Sequence, residues 1–223
     1  MRLEVKGLEK VFPAPAFSGG RPVRALAGVD LEAGPGVTGL GGANGSGKTT
    51  LLRTLAGVLE PDAGAILAGG ESASPERLRE ITALCPANPR SFYFRLTASE
   101  NLRFFGALAG LSPAKAAARA ERLAERLNMP PAELARRFDR LSEGNMQKVS
   151  LIRTFSRKTP VLLLDEPFRG LDGIACRGLL DLIAEAGLDS AVLVCSHQRD
   201  LLESAARRTL RIENGRITNG GPK

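Results

Sequence analysis

At 223 residues, 43% of them hydrophobic and 25% charged, the chain has the make-up of one large globular domain or of a domain carrying an inserted lobe. It holds no apolar run near the roughly 20 residues of a membrane-spanning helix, and its charged opening, MRLEVKGLEKVF, excludes a signal-peptide core, so a cytosolic protein is expected. A net charge of +7 permits contact with nucleic acid or an anionic lipid surface, but with only 4% aromatic residues single-strand recognition has little support. The three scattered cysteines (Cys85, Cys176, Cys195), without metal-ligand spacing, read as small buried thiols in a reducing compartment. In chain order, residues 2–6 and 24–32 alternate apolar and polar positions, the period of half-buried strands, around a Pro/Gly-rich loop at 13–22. A turn at 61–64 precedes short strands expected at 65–68 and 81–85. Beyond Pro86 the character becomes helical. Thr97 to Glu100 has capping-box form ahead of Leu102, Phe104, Phe105 and Leu108, and Ser112-Pro113 opens a helix to about Asn128. Buried-strand runs return at 161–164 and 191–195, flanking a helix near 175–186, the alternation of a parallel sheet covered on both faces. No internal repeat is present.

Residues 37–52 read VTGLGGANGSGKTTLL and contain a full P-loop pattern, Gly42-Ala43-Asn44-Gly45-Ser46-Gly47-Lys48-Thr49. Glycines let successive backbone N–H groups turn inward on phosphate oxygens. Lys48 supplies a cation for the β/γ-phosphates, Thr49 a hydroxyl for Mg²⁺, and the helix starting there points its positive end at the same anion. The ligand this chemistry fits is a nucleoside triphosphate.

Three further groups carry chemistry. Asp165-Glu166 ends the 161–164 run at the sheet edge where ligands of open α/β sheets sit; there an Asp can hold Mg²⁺ and a Glu can polarise water. His197, the single histidine, follows the last buried strand at that edge, where an imidazole can reach the γ-phosphate or hold Glu166 and the attacking water. Leu141-Ser142-Glu143-Gly144-Asn145 begins another helix, with Ser142 as N-cap and Gly144 leaving its first-turn N–H groups open to phosphate.

The ordered set of Phe12, GGANGSGKTT, LSEGN, VLLLDEP, GLD and His197 resembles the nucleotide-binding subunit of ATP-binding cassette (ABC) transporters, from about Leu3 to Ile217. The resemblance implies an α/β fold: a P-loop NTPase core with a mostly parallel sheet, a small antiparallel N-terminal β part and an inserted helical subdomain. The core is expected at 1–86 and 158–223, and the helical, signature-bearing part at 87–157. It further implies ATP and Mg²⁺ as cofactors, with Phe12 stacking on adenine and Gly42, Ala43, Asn44, Gly45, Ser46, Gly47, Lys48, Thr49 and Thr50 on the phosphates. Thr49 and Asp165 serve the metal, Glu166 is the base and His197 the γ-phosphate switch, with Lys48 completing the catalytic set. Ser142, Gly144 and Asn145 close on the ATP of a second nucleotide-binding subunit, in a homodimer or heterodimer, and Asp172 signals between the two sites. The remaining partners implied are integral-membrane transporter subunits, with no direct nucleic acid, and the location is the cytoplasmic face of the membrane.

Two departures stand out. Where the family places a Gln that contacts Mg²⁺ and the membrane partner, this chain has Ala87, with Asn88 beside it; either Asn88 substitutes or the contact is missing. The signature carries Glu143 and Asn145 for Gly and Gln, and the Glu143 carboxylate is expected to face solvent. Residues 96–105 are similar to the exporter branch. The competing reading, a non-transport ABC ATPase acting on nucleic acid or ribosomes, lacks the long coiled coil or the second P-loop such proteins carry.

Overall fold

The structure, a computed structural model, describes residues 1–14, 21–89 and 91–218; most of the expected 13–22 loop lies outside them. In chain order these form β1 (Leu3–Phe12), β2 (Val23–Ala33), β3 (Gly36–Gly41), α1 (Lys48–Leu55), β4 (Ala63–Ala68), β5 (Glu71–Ser72), α2 (Pro75–Ile81) and β6 (Thr82–Cys85). There follow α3 (Ala98–Leu108), α4 (Pro113–Arg126), α5 (Pro131–Leu134), α6 (Glu143–Ser156), β7 (Val161–Asp165), α7 (Gly173–Asp189), β8 (Ala191–Cys195), α8 (Arg199–Ala205), β9 (Arg208–Glu213) and β10 (Arg216–Thr218). The chain sorts into two compact units: Met1–Leu84, Thr159–Asp165 and the chain from Ala184 in one, Cys85–Lys158 and Glu166–Ile183 in the other.

The first unit holds two sheets. One is antiparallel, in the order β2-β1-β4-β5; the other, in the order β10-β9-β3-β8-β7-β6, is parallel at its centre. Every residue of β7 and β8 is buried, the reason both read as unbroken apolar runs. Their register pairs Val161 with Ala191 and Asp165 with Cys195, while β3 pairs Gly36 with Ala191 and Leu40 with Cys195. The carboxyl ends of three strands therefore finish level, and this edge carries the loop after Gly41, Asp165 and Ser196-His197. Leu51, Leu52 and Leu55 of α1 pack with Leu3, Val5, Leu26, Leu163, Leu193 and Ile212 in the core. Strand 81–85 is shorter than expected because Ile81 closes α2, whose N-cap Ser74 accepts from the Arg77 N–H at 3.2 Å.

The second unit is helical. The capping box at Thr97 is formed, with the Glu100 carboxylate accepting from the Thr97 N–H at 2.7 Å, and Ser112 caps α4. Phe92 stacks on Phe138 at 4.6 Å and meets Phe105 edge-on, while the guanidinium of Arg153 lies 4.4 Å above the Phe92 ring. Burial holds the Arg153 pKa below that of a free guanidinium. The unit is wider than the 87–157 read from sequence, because residues 166–183 belong with it. An ion pair from α6 to the turn before α7, Lys148 to Asp172 at 2.9 Å, is one tie that holds them there. Among the described residues no helix is long and apolar enough to cross a membrane.

Candidate nucleotide-binding site

The loop after β3 turns back on itself before α1. Gly47 has φ 112° and Gly42 φ 152°, backbone that L side chains rarely adopt, and a Cβ at either would overlap a carbonyl oxygen, of Ala25 or Ile212 respectively. The Gly215 N–H donates to the Ser46 carbonyl at 3.0 Å, fastening the loop to the β9–β10 hairpin. Lys48 is buried, and its Nζ donates to the Gly42 and Ala43 carbonyls at 2.6 and 2.9 Å, so the ammonium lies inside the ring of the loop. The Ser46 hydroxyl is buried in the same loop with no hydrogen-bond partner among the described residues. A cation and an orphan hydroxyl in a glycine-lined cradle fit a phosphate chain.

Thr49, one residue into α1, donates its hydroxyl to Asp165 Oδ2 at 2.8 Å, joining the loop to the end of β7. No cluster of three His, Cys, Asp or Glu side chains fit to hold a metal occurs among the described residues. One hydroxyl and one carboxylate suit Mg²⁺, which takes its remaining ligands from phosphate oxygens and water. His197 is exposed and shares a cavity of about 850 Å³ with Gly41, Gly42 and Ala43. Phe12 ends β1, 37% exposed, paired with Val23.

Glu166 opens the second stretch of the second unit at φ 47°, a left-handed conformation that a non-glycine residue holds only when its surroundings over-determine it, and one that collects at functional sites. The signature residues follow from α6 outward. Ser142 is exposed and its Oγ accepts from the Asn145 N–H at 3.2 Å, the expected N-cap. Glycine at 144 has a local cause as well: a Cβ there would overlap the Gly170 carbonyl oxygen. The Asn145 amide donates to Glu133 Oε2 at 2.7 Å, so the residue standing for the family's Gln is engaged inside its own unit. Glu143 faces solvent, as expected, and pairs with Arg169 at 2.6 Å, which offsets the carboxylate that the signature otherwise adds. Asp172 accepts from the Ile174 and Ala175 N–H groups at 3.0 and 2.9 Å and from Lys148. The Lys148 ammonium first, and the Ala175 N–H next, hold its carboxyl well below the usual carboxylate range. Ala87 and Asn88 follow β6, with Ala87 half-buried and Asn88 exposed.

A family model described as ABC transporter matches residues 26–169, from inside β2 to just past Glu166. This chain belongs to the ABC transporter family. The Fe(3+) ions import ATP-binding protein FbpC of Mesorhizobium japonicum is 37% identical over 216 residues, covering 92% of this chain but 56% of that protein. The lipoprotein-releasing system ATP-binding protein LolD 1 of Caulobacter vibrioides is 32% identical over 235 residues, covering 97% of this chain and 94% of that one. The solved dimeric bacterial ABC transporter cassette MJ0796 superposes with a TM-score of 0.86 over 97% of each chain at 19% identity, a likeness of fold. The chain is thus an ABC-type P-loop ATPase domain.

Within this ABC fold, sequence reasoning missed two residues of α6. Lys148 is buried, donating to the Asn128 carbonyl and to Asp172, both at 2.9 Å; Gln147, also buried, donates to the Pro167 carbonyl at 3.4 Å. Their signal was two polar residues standing directly before the fully buried Val149-Ser150-Leu151-Ile152 run of the helix.

Proposed function

We propose that this chain binds and hydrolyses ATP and drives transport through separate membrane subunits by closing with a second nucleotide-binding subunit. The observation that carries this reading is the Lys48 ammonium held within the glycine loop beside the Thr49–Asp165 pair. The N–H groups of 42–50 and Lys48 grip the phosphates, and Phe12 stacks on adenine. Mg²⁺, when bound, neutralises phosphate charge and orients the γ-phosphoryl group; Thr49 and Asp165 would hold it. Glu166 positions and deprotonates the attacking water, and His197 contacts the γ-phosphate, so that position and charge do most of the catalysis. Ser142 and Gly144 present a helix N-terminus to the partner's ATP. Asn145 joins them by exchanging its bond to Glu133, and Asp172 links the two sites.

The relatives' names support coupling to a membrane partner, and the solved dimeric cassette supports pairing of two such subunits, identical or not. A site on the cytoplasmic face of a membrane follows from that reading. Export rests on residues 96–105 alone, since one relative is named for import and another for lipoprotein release. Two measurements test the proposal. Affinity purification from native membranes is expected to retain an integral-membrane protein, and ATPase activity is expected to rise with that protein and not with DNA or RNA. Stimulation by nucleic acid with no membrane partner retained would overturn it.

A further inference from the structure

Three cations share one face of α4. Lys115, Arg119 and Arg122 follow at spacings of four and three residues, and Lys158, just past α6, joins them around a shallow cavity of about 410 Å³ also lined by Leu111 and Ala118. No carboxylate lines it among the described residues. Lys115, Arg122 and Lys158 have no ion-pair partner among the described residues.

Arg119 is the informative member. One of its terminal nitrogens donates weakly to the Phe155 carbonyl at 3.4 Å, but its Nε is buried with no acceptor among the described residues. A buried donor left unsatisfied destabilises the fold, and like charges four apart on a helix repel. One class of ligand relieves both, an oxyanion of phosphate type that guanidinium groups grip in two-pronged fashion.

An apolar tip adjoins the stripe. Leu108, the last residue of α3, is 71% exposed, Ala107, Ala109 and Gly110 around it are exposed, and Leu111 then enters the cavity. Gly106 fits against Ala116, holding the α3–α4 turn on α4. A free phosphate or an acidic peptide uses the cations and leaves the leucines in water. A bilayer with anionic headgroups takes both, with leucines at the acyl boundary and cations on the phosphates. We propose that the α3–α4 turn and the cationic face of α4 dock on the phosphate headgroups of an anionic membrane. None of the nucleotide-site residues takes part in this docking, which is independent of the transport reading.

The test is co-sedimentation of the full chain with vesicles of phosphatidylglycerol and phosphatidylcholine, against phosphatidylcholine alone. Binding to the mixed vesicles is expected, weakening with salt. The double variant Lys115→Gln, Arg122→Gln is expected to lower affinity roughly twenty-fivefold, at about fivefold per cation near the surface. Leu108→Ser is expected to weaken binding with no change in charge. Arg2→Gln with Arg24→Gln, which removes equal charge from the antiparallel sheet, is expected to leave it within about twofold, and intact ATP hydrolysis in every variant reports the fold. Equal loss in the sheet variant, or none in the α4 variant, would overturn the proposal. Binding of soluble polyglutamate through Lys115 and Arg122, with no affinity for vesicles, would overturn it in favour of an acidic protein segment.

Discussion

The Thr49 hydroxyl and Asp165 Oδ2 meet at 2.8 Å, joining the first turn of α1 to the last residue of β7 across 116 positions of sequence. The pairing exists because β3 and β7 both run parallel to β8 and end level with it. Asp165→Asn keeps the shape and removes the charge a divalent ion needs. Hydrolysis is expected to fall by at least about a hundredfold, the scale of several kcal/mol of lost charge stabilisation. Nucleotide binding measured in EDTA is expected to be unchanged, which separates metal loss from loop damage.

Lys48 donates to the Gly42 and Ala43 carbonyls, and in the proposed function it also neutralises phosphate. Lys48→Ala removes both. Calorimetric titration is expected to detect no nucleotide binding at millimolar ATP, and a retained binding isotherm would refute the phosphate role.

The Lys148–Asp172 pair has an unequal geometry: the Lys side chain is 6% exposed and that of Asp172 48%. Asp172→Ala leaves the buried Lys148 ammonium with the Asn128 carbonyl but without a counter-charge, whereas Lys148→Met replaces the charge with apolar volume. Chemical denaturation is therefore expected to find Asp172→Ala the less stable of the two. The Asp172 carboxyl is depressed in the folded state, so its contribution is present above the unfolded value near ~3.9 and is lost as pH falls towards the folded value. Asp172→Asn is expected to flatten the acid limb of the stability curve below that pH.

Gly144→Ala drives a methyl group into the Gly170 carbonyl oxygen. Overpacking of this kind costs about 1–3 kcal/mol. Thermal unfolding is expected several degrees lower, with ATPase activity reduced and nucleotide affinity at the P-loop unchanged.

Much of this was legible in the residues. The P-loop announces itself because few other sequences make a backbone cradle, and β7 and β8 because strands buried on both faces carry no polar residue to break the run. Thr97 and Ser112 marked helix starts by their capping chemistry. Strands β9 and β10, the latter at the sheet edge, are not legible in the residues, since Arg208, Arg211, Glu213 and Arg216 expose charge that reads as loop. The reach of the second unit was also hidden. What binds 166–183 to the helices includes the Lys148–Asp172 pair and the close approach of Gly144 to Gly170, contacts between positions more than twenty residues apart that no local pattern encodes. The partners of Asn145 and Glu143, twelve and 26 positions away, are likewise set by packing that no local pattern encodes.

The central claim is that Glu166 turns over an ATP held between two copies of this fold or between it and a close relative. Size-exclusion chromatography of Glu166→Gln with MgATP tests it most directly, run on the chain alone and with its co-purified partner subunit. A stable, ATP-loaded dimer is expected, with turnover reduced at least about a hundredfold, the usual weight of a general base. A variant that stays monomeric under both conditions and hydrolyses ATP at the parental rate would contradict it.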